Sequence, residues 1–154
     1  MPKRRNQIEM TDEEQDAFLR EGHTLQVASI GPHGYPHLVA MWYGFHDGKP
    51  AFETFAKSQK VLNLKRDNRI SVLVEDGGQY DELRGVEIVG TARVIDDPDV
   101  IMAIARNVVE RYVERQDPAD LDAVAAGMAN KRSAIVIEPD RVVSWDHGKL
   151  ASTY

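Results

Sequence analysis

Two lysines and a serine, in the run Lys57-Ser58-Gln59-Lys60, stand where a short apolar segment ends and an amphipathic one begins. Upstream, Ala51-Phe52-Glu53-Thr54-Phe55 has the make-up of a strand. Downstream, Val61-Leu62-Asn63-Leu64-Lys65-Arg66-Asp67 continues a helix that starts at Ser58 and runs to about Arg66. A strand that hands the chain to a helix start leaves unpaired N–H groups at the positive end of the helix dipole. A hydroxyl and two ammonium groups at that junction suit a phosphate. The plainer account is a serine cap flanked by solvated lysines, and the surrounding elements must decide between the two.

Other polar side chains offer less. His33 and His37 flank the turn Gly34-Tyr35-Pro36, but no acidic cluster completes a ligand set, so they read as surface turn residues and no metal is expected. Asp146-His147 reads as an exposed pair, with orientation of a proton donor as its alternative use. In Tyr80-Asp81-Glu82-Leu83-Arg84 the tyrosine could donate a proton and the arginine hold an anionic substrate, or the loop is a solvated lid. Trp42, Tyr43 and Trp145 read as core aromatics of strands, with Trp42 also suited to walling a groove. Asn130-Lys131-Arg132 precedes a late strand and supplies cations either to a helix end or to an anion site. None of these residues is assigned a catalytic role.

Composition narrows the function classes. The 154 residues are expected to form one domain, with 42% hydrophobic and 29% charged residues, as in ordinary globular proteins. A net charge of −6 argues against a nucleic-acid partner. No cysteine is present, which removes disulfides, thiolate chemistry and cysteine-bound metal. The start Met1-Pro2-Lys3-Arg4-Arg5 is basic without a following apolar stretch, so residues 1–10 are expected to be a flexible arm rather than a secretory signal. With no uninterrupted apolar segment of bilayer length, the expectation is a cytoplasmic protein with no membrane partner.

The elements that must position the junction follow from caps, turns and alternation. Thr11-Asp12-Glu13-Glu14 is a capping box before a short helix carrying Phe18 and Leu19. His23 to Ile30 reads as a strand, Gly31 to Gly34 as a turn, and Leu38 to Phe45 as a strand so apolar that both faces should be covered. Asp47-Gly48 makes a hairpin into Ala51–Phe55. Ile70 to Val74 and Val86 to Ile95 are further strands. Asp97-Pro98 and Asp117-Pro118 each start a helix, the first with Ile101, Ile104, Val108 and Tyr112 on its apolar stripe. Ser133 to Ile137, a turn at Glu138-Pro139-Asp140, and Arg141 to Trp145 close the chain. Strands joined by turns too short for crossover helices predict a mainly β protein, an antiparallel barrel with flanking helices.

That order, with Lys57-Ser58-Gln59-Lys60 and Asn63-Leu64-Lys65-Arg66-Asp67 before a strand, resembles the flavin- and deazaflavin-binding split barrels typified by pyridoxamine 5′-phosphate oxidase. Ile30-Gly31-Pro32-His33-Gly34, Met41-Trp42-Tyr43, Gly90-Thr91-Ala92 and Ser144-Trp145-Asp146 extend the likeness over roughly residues 24 to 146. It is most similar to the branch associated with coenzyme F420, a deazaflavin hydride carrier. The resemblance implies a split β-barrel homodimer with the cofactor in a groove between subunits, acting on a small-molecule substrate. It implies a phosphate held by Lys57, Ser58, Gln59 and Lys60, with Lys131 adding charge, and a ring system near Met41, Trp42 and Thr54. The oxidase pattern has an arginine where this chain has Gln59, which removes a planar, multi-donor phosphate partner. The expected cofactor is therefore coenzyme F420, with FMN as the alternative. A cofactor- or haem-binding protein without turnover is the rival of another class.

Overall fold

A computed structural model describes residues 3–114 and 117–151. The elements run α1 (Arg4–Ile8), α2 (Asp12–Glu21), β1 (Leu25–Ile30), β2 (Pro36–Met41), β3 (Gly44–His46), β4 (Lys49–Phe55) and α3 (Gln59–Arg66). After them come β5 (Arg69–Asp76), a 3-10 turn (Tyr80–Glu82), β6 (Arg84–Ile95), α4 (Pro98–Tyr112), α5 (Pro118–Ala129), β7 (Arg132–Asp146) and α6 (Gly148–Ala151). The strands form one antiparallel seven-stranded sheet in the order β2-β1-β5-β6-β7-β4-β3. β2 and β3 are its two opposite edges, yet only Trp42 and Tyr43 separate them along the chain. So short a link spans on the order of 10 Å. The edges must therefore meet, and the sheet curls into a barrel split along the β2–β3 seam.

The seam corrects one expectation. Leu38–Phe45 is not a single strand covered on both faces: it breaks at Trp42-Tyr43, and β2 alternates exposed and half-buried side chains. Along the seam, hydrogen bonds come from α4 rather than from a ladder. Asn107 Oδ1 accepts from Phe45 N at 2.8 Å, and Tyr112 Oη accepts from Tyr43 N at 3.2 Å. The Tyr112 hydroxyl also donates to the His23 carbonyl at 2.6 Å. Tyr43 is fully buried, donates to the Leu19 carbonyl, and carries the Arg111 guanidinium 4.6 Å above its ring. Asp97 caps α4 through the Asp99 amide, with Pro98 in the first turn, as its sequence signals indicate.

Two further differences concern strand continuity and the N-terminal segment. β7 runs unbroken through Glu138-Pro139-Asp140, where a turn was expected. The β6–β7 register passes from Val89↔Arg141 to Gly90↔Pro139, so Asp140 is the extra residue of a bulge. Proline is tolerated there because a bulge already interrupts the ladder. Residues 4–8, expected to be part of a flexible arm, form α1, and Met10 is buried with its amide donating to Ser144 Oγ at 3.0 Å. The part of that expectation resting on residues 1–2 lies outside the described residues.

The barrel interior is filled by Leu25, Val27, Phe52, Val61, Leu64, Val72, Val86, Ile135 and their neighbours. A second cluster joins Ala51, Ala134 and Val136 to Ile101, Ile104 and Val108 of α4 on the outer face. No described helix is long and apolar enough to cross a membrane. If α4 seals the seam, Asn107→Ala should cost about 1–3 kcal/mol by leaving the Phe45 amide without its partner. Urea unfolding should show a lower midpoint at an unchanged slope, and an unchanged midpoint would refute the seal.

Candidate functional site

β4 ends at Phe55 and α3 begins at Gln59, and the connection folds back tightly, with Ser58 N donating to the Phe55 carbonyl at 2.9 Å. Ser58 occupies the N-cap position, but its side chain makes no capping bond, and its hydroxyl oxygen is buried without a partner. That departs from the usual serine cap, in which the oxygen accepts from the first-turn amides. Ala56 N donates to the Lys131 carbonyl at 3.0 Å, which ties this junction to the residue before β7. Lys131 itself holds a left-handed backbone, φ 55°. Phe55, Ala56, Lys57, Ser58 and Lys131 then line one cavity of about 640 Å³. A second cavity of about 720 Å³, between the α4 and α5 helices and the start of β7, shares Lys131 with it.

Of the residues expected around a phosphate, the structure gathers Lys57, Ser58 and Lys131 on one cavity. Both lysines are exposed and have no ion pair among the described residues. Lys60 stands to the side, donating to Thr54 Oγ1 at 2.8 Å. Gln59 turns along its own helix and donates to Asn63 Oδ1 at 2.7 Å. Asn63 is fully buried and in turn donates to Ser29 Oγ at 3.1 Å, which fixes the face α3 presents to β1. Met41 and Trp42 do not line this cavity. Met41 packs on the barrel core, and Trp42, 47% exposed, stacks on Tyr112 with ring centroids 4.6 Å apart.

The Tyr80–Arg84 loop and the histidines lie elsewhere. Arg84 is engaged with Asp76 at 2.8 Å, and Tyr80 meets His147 edge-on at 4.7 Å. Among the described residues, no three His, Asp or Glu side chains gather as a metal site.

The residue that the motif reading passed over is Glu53. Alternation along β4 puts Glu53 on the same outer face as Ala51 and Phe55. Its carboxylate is 95% buried and lies 3.4 Å from Arg132 Nη1, a contact too poorly aligned to count as a hydrogen bond for Oε2. Arg132 is paired in register with Phe55, and its guanidinium covers the Phe55 ring at 3.8 Å. Burial pushes the Glu53 carboxyl up to about 7, against the pull of Arg132 and then Lys60. The Lys60 ammonium is pushed down, first by burial and then by Arg132, with Glu53 opposing. A lone acid inside the otherwise uncharged strand Ala51–Phe55 was the signal in the sequence.

The pyridoxamine 5′-phosphate oxidase profile matches residues 11–146. The chain belongs to that family. A conserved hypothetical protein from Mycobacterium tuberculosis is 43% identical over 97% of this chain and 92% of its own, with a TM-score of 0.90. An F420 reductase is 25% identical over 82% of this chain and 94% of its own, TM-score 0.62. A haem storage protein from Vibrio cholerae, 14% identical over 89% and 97%, shares the fold with a TM-score of 0.67. No functionally curated protein matches the sequence significantly. The seven antiparallel strands and flanking helices are those of this family's split barrel.

The buried carboxyl has a consequence for stability. An unfolded glutamate titrates near 4.5 and the folded Glu53 near 7, so between these values the folded protein holds more protons than the unfolded one. Stability should therefore fall as pH rises through that window and level off above it. Thermal melts of wild type and Glu53→Gln should diverge in the variant's favour from about pH 5 to about pH 8. A constant difference across that range would show that Glu53 is not the group responsible.

Proposed function

We propose that this split-barrel protein is an oxidoreductase that binds coenzyme F420 and serves hydride transfer between it and a small organic substrate. The observation that carries the reading is the uncommitted Ser58 hydroxyl on a cavity with two lysines that have no ion pair among the described residues, at the start of a helix. Such a site fits an anionic group: the first-turn amides and Ser58 can donate, while Lys57 and Lys131 neutralise. Gln59, which stands where the oxidase pattern has an arginine, turns away along its helix and donates to Asn63. That leaves the cavity with separated point charges rather than a planar fork, which suits a phosphodiester with an extended acidic tail better than a terminal phosphate. Similarity to an F420 reductase supports the same cofactor. A bound deazaflavin supplies the hydride chemistry, and the chain's part is to hold and orient it.

In the same proposal the working unit is a homodimer. Leu38 is 67% exposed, Phe55 57% and Trp42 47%, and the first lies on the β2 edge. Exposed apolar side chains at a seam and at a cofactor cavity favour a second copy as their cover. The subunit mass is 17.3 kDa, and light scattering at micromolar concentration should return twice that value. A monomer would remove the shared groove from the proposal.

Absorbance and fluorescence titrations with coenzyme F420, FMN and haem in parallel test the cofactor. F420 should bind tightest. Lys57→Ala and Lys131→Ala should each weaken it by about ten- to a hundred-fold, the range for a charge-assisted contact of roughly 1.5–3 kcal/mol. Melting temperatures of both variants should hold, because neither lysine packs in the core. Retention of FMN with no response to F420 would transfer the assignment to an FMN-dependent oxidoreductase.

A further inference from the structure

Three buried polar atoms without hydrogen-bond partners gather around Phe55: Ser58 Oγ, Arg132 Nε and Glu53 Oε2. Ser58 shares a cavity with Phe55, Arg132 lies over the Phe55 ring, and Glu53 is beside Arg132. Buried polar groups are normally satisfied, and a cluster that is not marks a place where a further group is accommodated. The unmet capacity has a direction. Arg132 Nε and the Ser58 hydroxyl can both donate, and a ligand oxygen would complete them.

Glu53 is the odd member of the set, because an acceptor gains nothing from an incoming anion. Its setting explains its presence. Around its carboxylate, β7 contributes Arg132 and α3 contributes Lys60. α4 presents Ile101, Ile104 and Val108 to this face, and β3, whose register with β4 ends at Gly44↔Ala51, stops short of Glu53. A half-buried arginine and a half-buried lysine on an apolar face call for an anion, and Glu53 is the only carboxylate in contact with Arg132 among the described residues. Arg132 lines the adjoining cavity that shares Lys131 with the Ser58 cavity, and an anionic ligand extending from one to the other competes for that role.

We propose, building on the cofactor reading above, that Arg132 is a binding residue for the cofactor's anionic group and that Glu53 is its positioning residue. Without ligand, the Glu53 carboxylate holds the guanidinium over Phe55 as an internal counter-ion. When the ligand's anion reaches Arg132, the Glu53 carboxylate takes a proton from solvent, and the guanidinium passes from carboxylate to ligand. The total charge inside the site is thereby kept nearly constant, which a low-dielectric setting demands. The proton is available near neutrality because burial already holds the carboxyl at about 7.

The test is calorimetric titration of wild type and Glu53→Gln with coenzyme F420 and with FMN, in buffers of different ionisation enthalpy and between about pH 6 and pH 8.5. Any proton taken up by the ligand itself appears with both proteins, so the difference belongs to Glu53. Wild type should bind with up to one more proton than the variant. The ratio of variant to wild-type affinity should rise by about ten-fold across the range, as linkage to a single proton requires. Glu53→Gln combined with Arg132→Gln, which removes the guanidinium without leaving a buried carboxylate unpaired, should bind at least about ten-fold more weakly than Glu53→Gln alone. Equal proton counts with preserved binding would overturn the roles of Glu53 and Arg132 and leave the cavity assignment standing. No binding of either cofactor would overturn both.

Discussion

The two residues between β2 and β3 constrain everything else in this molecule. Strands at opposite edges of a seven-stranded sheet cannot be joined by Trp42-Tyr43 unless the sheet rolls until its edges touch. Rolling gives the barrel its interior, but α4 supplies the hydrogen bonds to Tyr43 and Phe45 along the seam. Asn107 and Tyr112 give those amides partners, and Tyr112 serves a second time as the platform under Trp42. Tyr43 is buried for the same reason, and its hydroxyl and ring bind α2 and α4 to the seam. An open sheet edge is an aggregation hazard, and this seam removes part of it within the subunit.

The charged cavity is a product of that architecture rather than an addition to it. β4 lies one strand from the seam and β7 runs beside it, so the end of β4 and the beginning of β7 arrive together at Phe55 and Arg132. The ladder places Lys131 against Ala56 and Arg132 against Phe55, which brings two cations from distant sequence to the start of α3. In a chain of net charge −6, this concentration of positive charge is local. The anionic cofactor proposed above would meet weak long-range repulsion, which contacts within a Debye length of roughly 8–10 Å would have to overcome.

Much of this was legible in the sequence because local rules agreed with the fold. The Thr11 capping box, the proline-started α4 and the alternation in Leu25–Ile30 appear as expected. The Ser58 junction was visible as a motif, since its residues are contiguous. The break at Trp42-Tyr43 was not, because an apolar run carries no mark of which sheet edge each half will join. Pro139 read as a turn because proline and its neighbours favour one, whereas a bulge accommodates the same residues inside a strand. The pairing of Glu53 with Arg132 was hidden for a different reason. The two residues are brought together by strand register, and register is a property of the whole sheet.

The choice of cofactor chemistry rests on what neighbouring residues have already been given to do. Asn63 must satisfy a buried amide, and it does so by donating to Ser29 while accepting from Gln59 and, at 3.2 Å, from Arg66. That network pins α3 to β1 and turns the Gln59 amide along the helix toward Asn63, so position 59 serves the fold. An arginine there would have to give up the network or reach past it to act on a phosphate. With Gln59 bonded to Asn63 and Lys60 to Thr54, the donors left on the Ser58 cavity itself are Ser58, Lys57, Lys131 and the helix amides, with Arg132 on the adjoining cavity beyond Phe55. They are separate in space and single in charge. A ligand whose negative charge is likewise spread out makes full use of them, whereas one compact dianion would leave the outer lysines facing water.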